Sequence, residues 1–379
     1  MFNRRFRVVG ALVLALALIT AGCGSDPDED STETTAAAGS DTTAAGDDTG
    51  SDTTAAAGEA DYKACEVTDT GGVDDKSFNQ TAYAGLEQAE SELGVEIDVA
   101  ESTAATDYEP NINAFIDGGC DLIVTVGFLL GDATAAAAEA NPDQSFAIVD
   151  NDFFDADAGE DIVYDNVKEL TFKTDEAAFL AGYLAAGMSE SGTVGTYGGL
   201  NIPTVSIFME GMRLGVEQYN EDNGAEVKLL GWDGTDGLFT GDFEDQDKGR
   251  QTTESLIDEC ADIIMPVAGP VGLGSVEAAR AADGVSLIWV DVDGCVSVAD
   301  ACDLFLTTVE KKMDLAVFDA VKAGVDGAFE GGLYSGTLEN GGVDIADYNE
   351  FEDDVPQELK DKVQEYKDMI IAGEYSLAG

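Results

Sequence analysis

Two stretches of this chain repeat one another at a fixed spacing, and that repeat limits the folds open to it. Sliding the sequence by 141 positions sets Ile116-Asp117 on Ile257-Asp258, Asp121 on Asp262 and Ile123 on Ile264. It also sets Val126 on Val267, Ala137-Ala138 on Ala278-Ala279, and Val149-Asp150 on Val290-Asp291. The turn Gly71-Gly72 has a counterpart in Gly198-Gly199, again after a strand-like run. A constant offset across a whole strand-helix-strand unit implies two halves that share one fold.

The unit being repeated is legible. Short apolar runs at Ala64–Thr68, Leu122–Val126, Phe146–Val149, Thr193–Tyr197, Val227–Leu230, Ile263–Val267 and Leu287–Val290 read as strands. Between them, Ser77–Leu93, Asn111–Gly118, Thr134–Ala140, Glu176–Met188, Val205–Asn223, Asp247–Glu259 and Gly274–Ala282 have helical length and pattern. Strands separated by helices form parallel sheets covered on both faces. The expected fold is α/β, with two similar doubly wound lobes joined by a hinge. We assign residues 61–171 with about 293–324 to the first lobe and 172–292 with about 325–379 to the second, so the chain crosses near Thr171, near Val292 and beyond Gly324. Glu330–Tyr348, rich in Gly, reads as loop and edge strand, and Pro356–Ala372 as an amphipathic closing helix.

Open parallel sheets bind ligands beyond the carboxyl ends of their strands. Two such sheets facing each other place Asp69, Asp150, Gly269 and Asp291 on the walls of one cleft. Position, rather than residue type, singles these out: the chain has 77 Asp and Glu, and an acid at a strand end is ordinarily a turn or helix-cap residue.

That acidic excess excludes whole classes of partner. With 18 Lys and Arg the formal charge is -59, so nucleic acid is repelled at every approach. The chain has no His, which removes imidazole bases, Ser-His and Cys-His nucleophile pairs and the commonest zinc and haem ligand. No metal or other cofactor is expected. A negative coat of this size suits a saline medium, where screening relieves self-repulsion.

The first sixty residues read as an address and a tether. Arg4, Arg5 and Arg7 precede an apolar run from Val8 to Ile19, too short to span a bilayer, and Thr20-Ala21-Gly22-Cys23 follows. Residues 1–22 form a signal peptide. Its end resembles the bacterial lipoprotein processing site, at which Cys23 receives lipid, although Thr20 stands where Leu is usual. Residues 23–60, in near-repeats of Thr, Ala, Gly and Asp without an aromatic or basic residue, cannot bury a core. Export permits disulfides. Cys295 and Cys302 read as a local staple; Cys65 and Cys120 stand at strand starts and could join neighbouring strands; Cys260 is the odd one out.

The most informative segment is Val67-Thr68-Asp69-Thr70-Gly71-Gly72-Val73-Asp74-Asp75-Lys76-Ser77-Phe78-Asn79-Gln80. A strand ends at Asp69, two glycines turn the chain, and a helix starts near Ser77 with an aromatic in its first turn, offering helix-start amides and a ring to the cleft. The string resembles the basic membrane protein family, lipoprotein substrate-binding subunits of ABC transporters for purine nucleosides. Further matches, in the family's order, include Val124-Thr125-Val126-Gly127-Phe128, Gly241-Asp242-Phe243-Glu244-Asp245-Gln246-Asp247-Lys248-Gly249 and Thr307-Thr308-Val309-Glu310-Lys311-Lys312-Met313-Asp314.

The resemblance implies a periplasmic-binding-protein-like fold of type I. It also implies a base sandwiched between Phe78 and Phe243, its polar edges bonded by Asp69, Asn79 and Asp150, and a sugar held by Gly269, Asp291 and Lys311. Asp132 and Asp152 compete with Asp150 for its role, and Lys312 with Lys311. The chain is then expected to act as a lipid-anchored monomer on the outer face of the cell membrane, serving ABC permease subunits. The residues themselves argue for a neutral ligand, because no P-loop or Arg cluster exists to pair a phosphate within so negative a field. A receptor of the same architecture for a sugar or another small solute, or one reporting to a sensor, is the alternative. A calcium-dependent nucleoside hydrolase, suggested by Asp69, Asp74 and Asp75, is a distant one.

Overall fold

The structure is a computed structural model and describes residues 60–155 and 159–377. The leader, the tether as far as residue 59, and Cys23 lie outside the described residues. Each lobe is built on one six-stranded sheet.

In the first lobe the strands are β1 (Lys63–Val67), β2 (Glu96–Ala100), β3 (Leu122–Val126), β4 (Ser145–Val149) and, after a small hairpin β5 (Phe154–Asp155)–β6 (Glu160–Asp161), β7 (Val167–Phe172). The helices between them are α1 (Phe78–Leu93), α2 (Tyr108–Asp117) and α3 (Gly131–Ala140). The chain then enters the second lobe through α4 (Thr174–Met188), β8 (Thr193–Gly198), α5 (Pro203–Asn223), β9 (Lys228–Leu230), α6 (Gln246–Asp258), β10 (Ile263–Val267), α7 (Gly272–Ala281) and β11 (Ser286–Asp291). A single turn α8 (Gly294–Ser297), β12 (Phe305–Lys311), α9 (Met313–Val325), β13 (Gly332–Gly336), β14 (Val343–Ile345) and α10 (Gln357–Ile371) complete the fold.

The sheet orders are β13-β7-β4-β3-β1-β2 and β14-β12-β11-β10-β8-β9. All pairings are parallel except β14 against β12. Central strands such as β3 (LIVTV) and β10 (IIMPV) are buried along their whole length, so their sequences run apolar rather than alternating. Pro266 sits in β10, a central strand, where a missing N–H is normally costly. It is tolerated because β10 pairs with β11 only through Ile263 and Ile264.

The 141-residue offset reappears in three dimensions. Shifted by that number, β3 falls on β10, α3 on α7, and the residues of β4 on the first five of β11. Apolar residues of α1 and α9, such as Leu86 and Val317, pack with Ala64 and Val124 on one face of the first sheet. Tyr108 and Ile112 of α2 pack with Ile123 and Phe146 on the other. The second sheet is covered likewise, with Leu256 of α6 and Val276 of α7 against Ile264 and Leu287.

The expected lobe boundaries need correction. The chain passes between lobes at Lys173, at Lys312 between β12 and α9, and at residues 337–342 between β13 and β14. Residues 293–311 therefore belong with the second sheet, because Val290 and Asp291 of β11 pair with Val309 and Glu310 of β12. Residues 325–336 return to the first, where β13 pairs with β7. Sequence reasoning missed β12 as a strand and so put the second crossing near Val292, one strand too early.

Cys65 is bridged to Cys120, and Cys295 to Cys302. The first bridge ties β1 to the turn just before its neighbour β3, and the second joins cysteines 7 apart in sequence. Among the described residues no helix is long and apolar enough to cross a membrane.

Candidate ligand-binding site

The carboxyl ends of both sheets converge on one cavity, and every ligand residue expected from the sequence lines it. Asp69, Phe78, Asn79 and Asp150 come from the first lobe, and Phe243, Gly269, Asp291 and Lys311 from the second. The space between these residues, counting its mouth open to solvent, is about 570 Å³. Phe78, the first residue of α1, and Phe243, in the loop before α6, are half-buried rings on opposite lobes.

Two glycines make room for these groups. Gly127, at φ 115°, lies where a Cβ would come within 2.7 Å of Asp69 Oδ2, so a side chain there would push that carboxyl out of place. Gly199 backs the Phe243 ring, whose atoms would lie 2.3 Å from a Cβ.

Polar groups in the cavity are mostly spoken for by one another. Asn79 Nδ2 donates to Asp69 Oδ1 at 2.9 Å, while Asn79 Oδ1 is buried with no partner. Lys311 Nζ donates to Asp150 Oδ2 at 2.6 Å, in an ion pair almost wholly shielded from water. The same ammonium lies 4.9 Å from the Phe78 ring centroid, 5.6 Å from Phe172 and 5.4 Å from Phe208, an arrangement that offsets part of its desolvation. Burial pushes Asp69 up to about 8, opposed by the Asn79 hydrogen bond and reinforced by Asp75, Asp150 and Asp291. Burial likewise raises Asp291 to about 6, with Lys311 and Ser77 opposing. Asp150 is also raised by burial, against the pull of Lys311.

Competing assignments separate in space. Asp132 and Asp152 line a wider groove that adjoins the cavity and shares Phe128, Leu129, Asp150 and Thr204 with it. Lys312 turns away and pairs with Glu310 at 2.7 Å. Asp69, Asp74 and Asp75 do not converge: Asp74 pairs with Lys76, and Asp75 accepts the backbone N–H groups of Ser77, Asn79 and Gln80 at 3.0, 2.8 and 3.0 Å. Among the described residues no group of three or more His, Cys, Asp or Glu is arranged to hold a metal ion.

That role of Asp75 corrects one expectation. The first amides of α1 are not offered to the cleft, because a buried carboxylate already caps them, as helix starts require. What α1 gives the cavity is side chains. Sequence reasoning also missed Ile202, Thr204, Val205 and Phe208, at and just before the start of α5, which line the second-lobe wall. A signal was present: α5 follows Gly198-Gly199 much as α1 follows Gly71-Gly72, so its first turns occupy a place like that of Phe78.

Two parallel-sheet lobes with side chains from both meeting at their strand ends define a solute-binding protein of the periplasmic-binding type. The chain belongs to the family described as ABC transporter substrate-binding protein, PnrA-like, whose model matches residues 63–375. It is 32% identical over 337 residues to the ABC transporter nucleoside-binding protein BmpA of Lactococcus lactis, covering 84% of this chain and 90% of that protein. An uncharacterized lipoprotein of Pyrococcus abyssi is 32% identical over 294 residues, covering 74% and 68%. The solved structure of an ABC transporter solute-binding protein from Aeropyrum pernix K1 superposes with a TM-score of 0.75 at 26% identity, covering 83% of this chain and 92% of that one. Members of such a family act outside the cytoplasm, binding a small molecule for permease subunits, and these relatives are described as binding proteins or lipoproteins rather than enzymes.

Proposed function

We propose that this protein captures a neutral nucleoside, of the purine class, by closing its two lobes around it, and that a lipid on Cys23 keeps it at the outer face of the membrane as a monomer beside its permease. The observation that carries this reading is the meeting, in one cavity, of one half-buried Phe from each lobe with a ring of polar groups. Two rings bury both faces of a flat heterocycle without demanding charge. Asn79 Oδ1, buried and without a partner, suits an N–H of the base. Asp69 and Asp150 complete the polar edge, while Gly269, Asp291 and Lys311 hold the sugar, for whose hydroxyls a carboxylate is a strong acceptor.

Charge supports the same reading. Four buried acids, Asp69, Asp75, Asp150 and Asp291, share the cavity with a single lysine already paired with one of them, so among the described residues a phosphate would find no free cation there. The name of the Lactococcus lactis relative favours a nucleoside, and that of the Pyrococcus abyssi relative, with the Arg-rich leader and Cys23, favours a lipid anchor.

A thermal-shift screen with purine and pyrimidine nucleosides, free bases, nucleotides and pentoses tests the ligand. A true ligand at about 100 times its Kd adds about 2.7 kcal/mol of stability. Purine nucleosides should raise the melting temperature and nucleotides should not. A shift with pentoses alone would transfer the site to sugars. Metabolic labelling with palmitate, lost on Cys23→Ala, tests the anchor.

A further inference from the structure

The first lobe presents a rigid edge to the second. Lys76 takes the left-handed conformation at φ 63°, and the next residues are pinned by Asp75, which accepts the N–H groups of Ser77, Asn79 and Gln80. This edge makes two hydrogen bonds across the cleft. The Trp289 indole Nε1–H donates to the Lys76 carbonyl at 3.2 Å, and the Ser77 hydroxyl donates to Asp291 Oδ2 at 2.5 Å.

The Ser77–Asp291 bond is buried and the Trp289–Lys76 bond partly so, and both depend on one strand. Trp289 and Asp291 are two apart in β11, so their side chains leave the same face. Trp289 is 1% exposed, its ring 5.3 Å from that of Phe305 and pressed against Gly272, so its N–H is held in one direction. Neither Trp289 nor Ser77 lines the cavity.

We infer that Trp289 and Ser77 are positioning residues that latch the closed lobes together independently of ligand: Trp289 fixes how closely the Phe78 edge approaches the second lobe, and Ser77 takes one oxygen of Asp291 while leaving the other for the solute. Neither bond survives opening, when each group turns to water instead. Each is therefore a differential contact that favours the closed state. A buried hydrogen bond of ordinary net worth shifts such an equilibrium by about fivefold, and one to a carboxylate by more.

The inference rests on the two-lobe closure of the proposed function but not on the identity of its ligand. It is tested in the full chain, on a Cys260→Ser background, with nitroxides at Glu87→Cys on α1 and Ser255→Cys on α6, both exposed. Electron–electron distance distributions without ligand should show the long-distance population rising about fivefold in Trp289→Phe and in Ser77→Ala, with the wild-type far-UV circular dichroism retained, and further in the double variant. With inosine as probe, dissociation should quicken while association stays as in wild type. Superimposable distance distributions in wild type and both variants would overturn the latch. Failure of inosine to bind wild type would instead count against the nucleoside reading and leave the distance comparison standing.

Discussion

Asp150 and Asp291 stand 141 residues apart at the same place in the two lobes, one directly after β4 and the other closing β11, each 6% exposed and each in the left-handed region at φ 66° and 71°. Each also reaches across the cleft, Asp150 to Lys311 of the second lobe and Asp291 to Ser77 of the first. The internal repeat thus supplies the site with paired acids, and the two lobes have assigned them different partners. Asp tolerates this conformation better than most residues, and a turn aimed at a cleft needs it.

The Lys311–Asp150 pair should be worth more intact than either half alone. Lys311→Met leaves a buried carboxylate uncompensated, and such breaks cost roughly 3–5 kcal/mol. The loss should be smaller near pH 5, where Asp150, already raised by burial, can take up a proton instead. Urea denaturation at two pH values reads both. Equal losses at each would mean that the pair is solvated.

Glu66 makes stability fall as pH rises. It is 0% exposed beneath α1, neither of its oxygens has a hydrogen-bond partner, and burial, then the charge of Asp75, holds its carboxyl well above the usual range. The unfolded chain releases this proton near pH 4.5 while the folded chain keeps it. Its contribution is therefore complete below that pH and is lost progressively as pH climbs toward the folded value. Glu66→Gln removes the titration. The variant should gain stability over wild type at about pH 8 and gain little or nothing near pH 4. A constant difference across that range would show Glu66 to be ionised in the fold.

Asp75 carries the start of α1. Asp75→Ala strips the partner from three backbone N–H groups at once, and cap losses alone run about 1–2 kcal/mol. The same turn bears Phe78, so the variant should lose ligand affinity as well as thermal stability. Calorimetry beside a melting curve checks both; an unchanged melting curve would mean that the cap is dispensable.

The formal charge of -59 should make salt stabilising. Raising NaCl from about 0.1 to about 1 M shortens the Debye length from ~10 to ~3 Å and relieves repulsion among surface carboxylates. The melting temperature should rise across that range. A flat or falling profile would separate the acidic coat from any adaptation to a saline medium.

What was legible in the sequence depended on local signals. Buried parallel strands such as Leu122–Val126 announce themselves as apolar runs, and the 141-residue offset marks Asp150 and Asp291 as equivalent. Strands of weaker composition did not. β12 (FLTTVEK) mixes Thr, Glu and Lys into a buried strand because its far end lines the cavity, where Lys311 finds Asp150; that functional content hid the strand and displaced a lobe boundary. β2 (EIDVA) is an edge strand with little to bury, and β13, legible only as an unplaced edge strand within Glu330–Tyr348, finds its position by pairing with β7, 164 residues earlier. The cross-cleft bonds of Ser77 and Trp289 were invisible for the same reason: each joins residues more than 200 positions apart, and only the closed fold brings them together.

The proposed grip on an uncharged heterocycle needs one aromatic ring from each lobe, Phe78 and Phe243. Isothermal titration of inosine, guanosine and adenosine into wild type, Phe78→Ala and Phe243→Ala tests it most directly. Each substitution should weaken binding by roughly tenfold or more, equivalent to about 1.4 kcal/mol of lost stacking. Nucleoside affinity left unchanged in both variants would contradict the account.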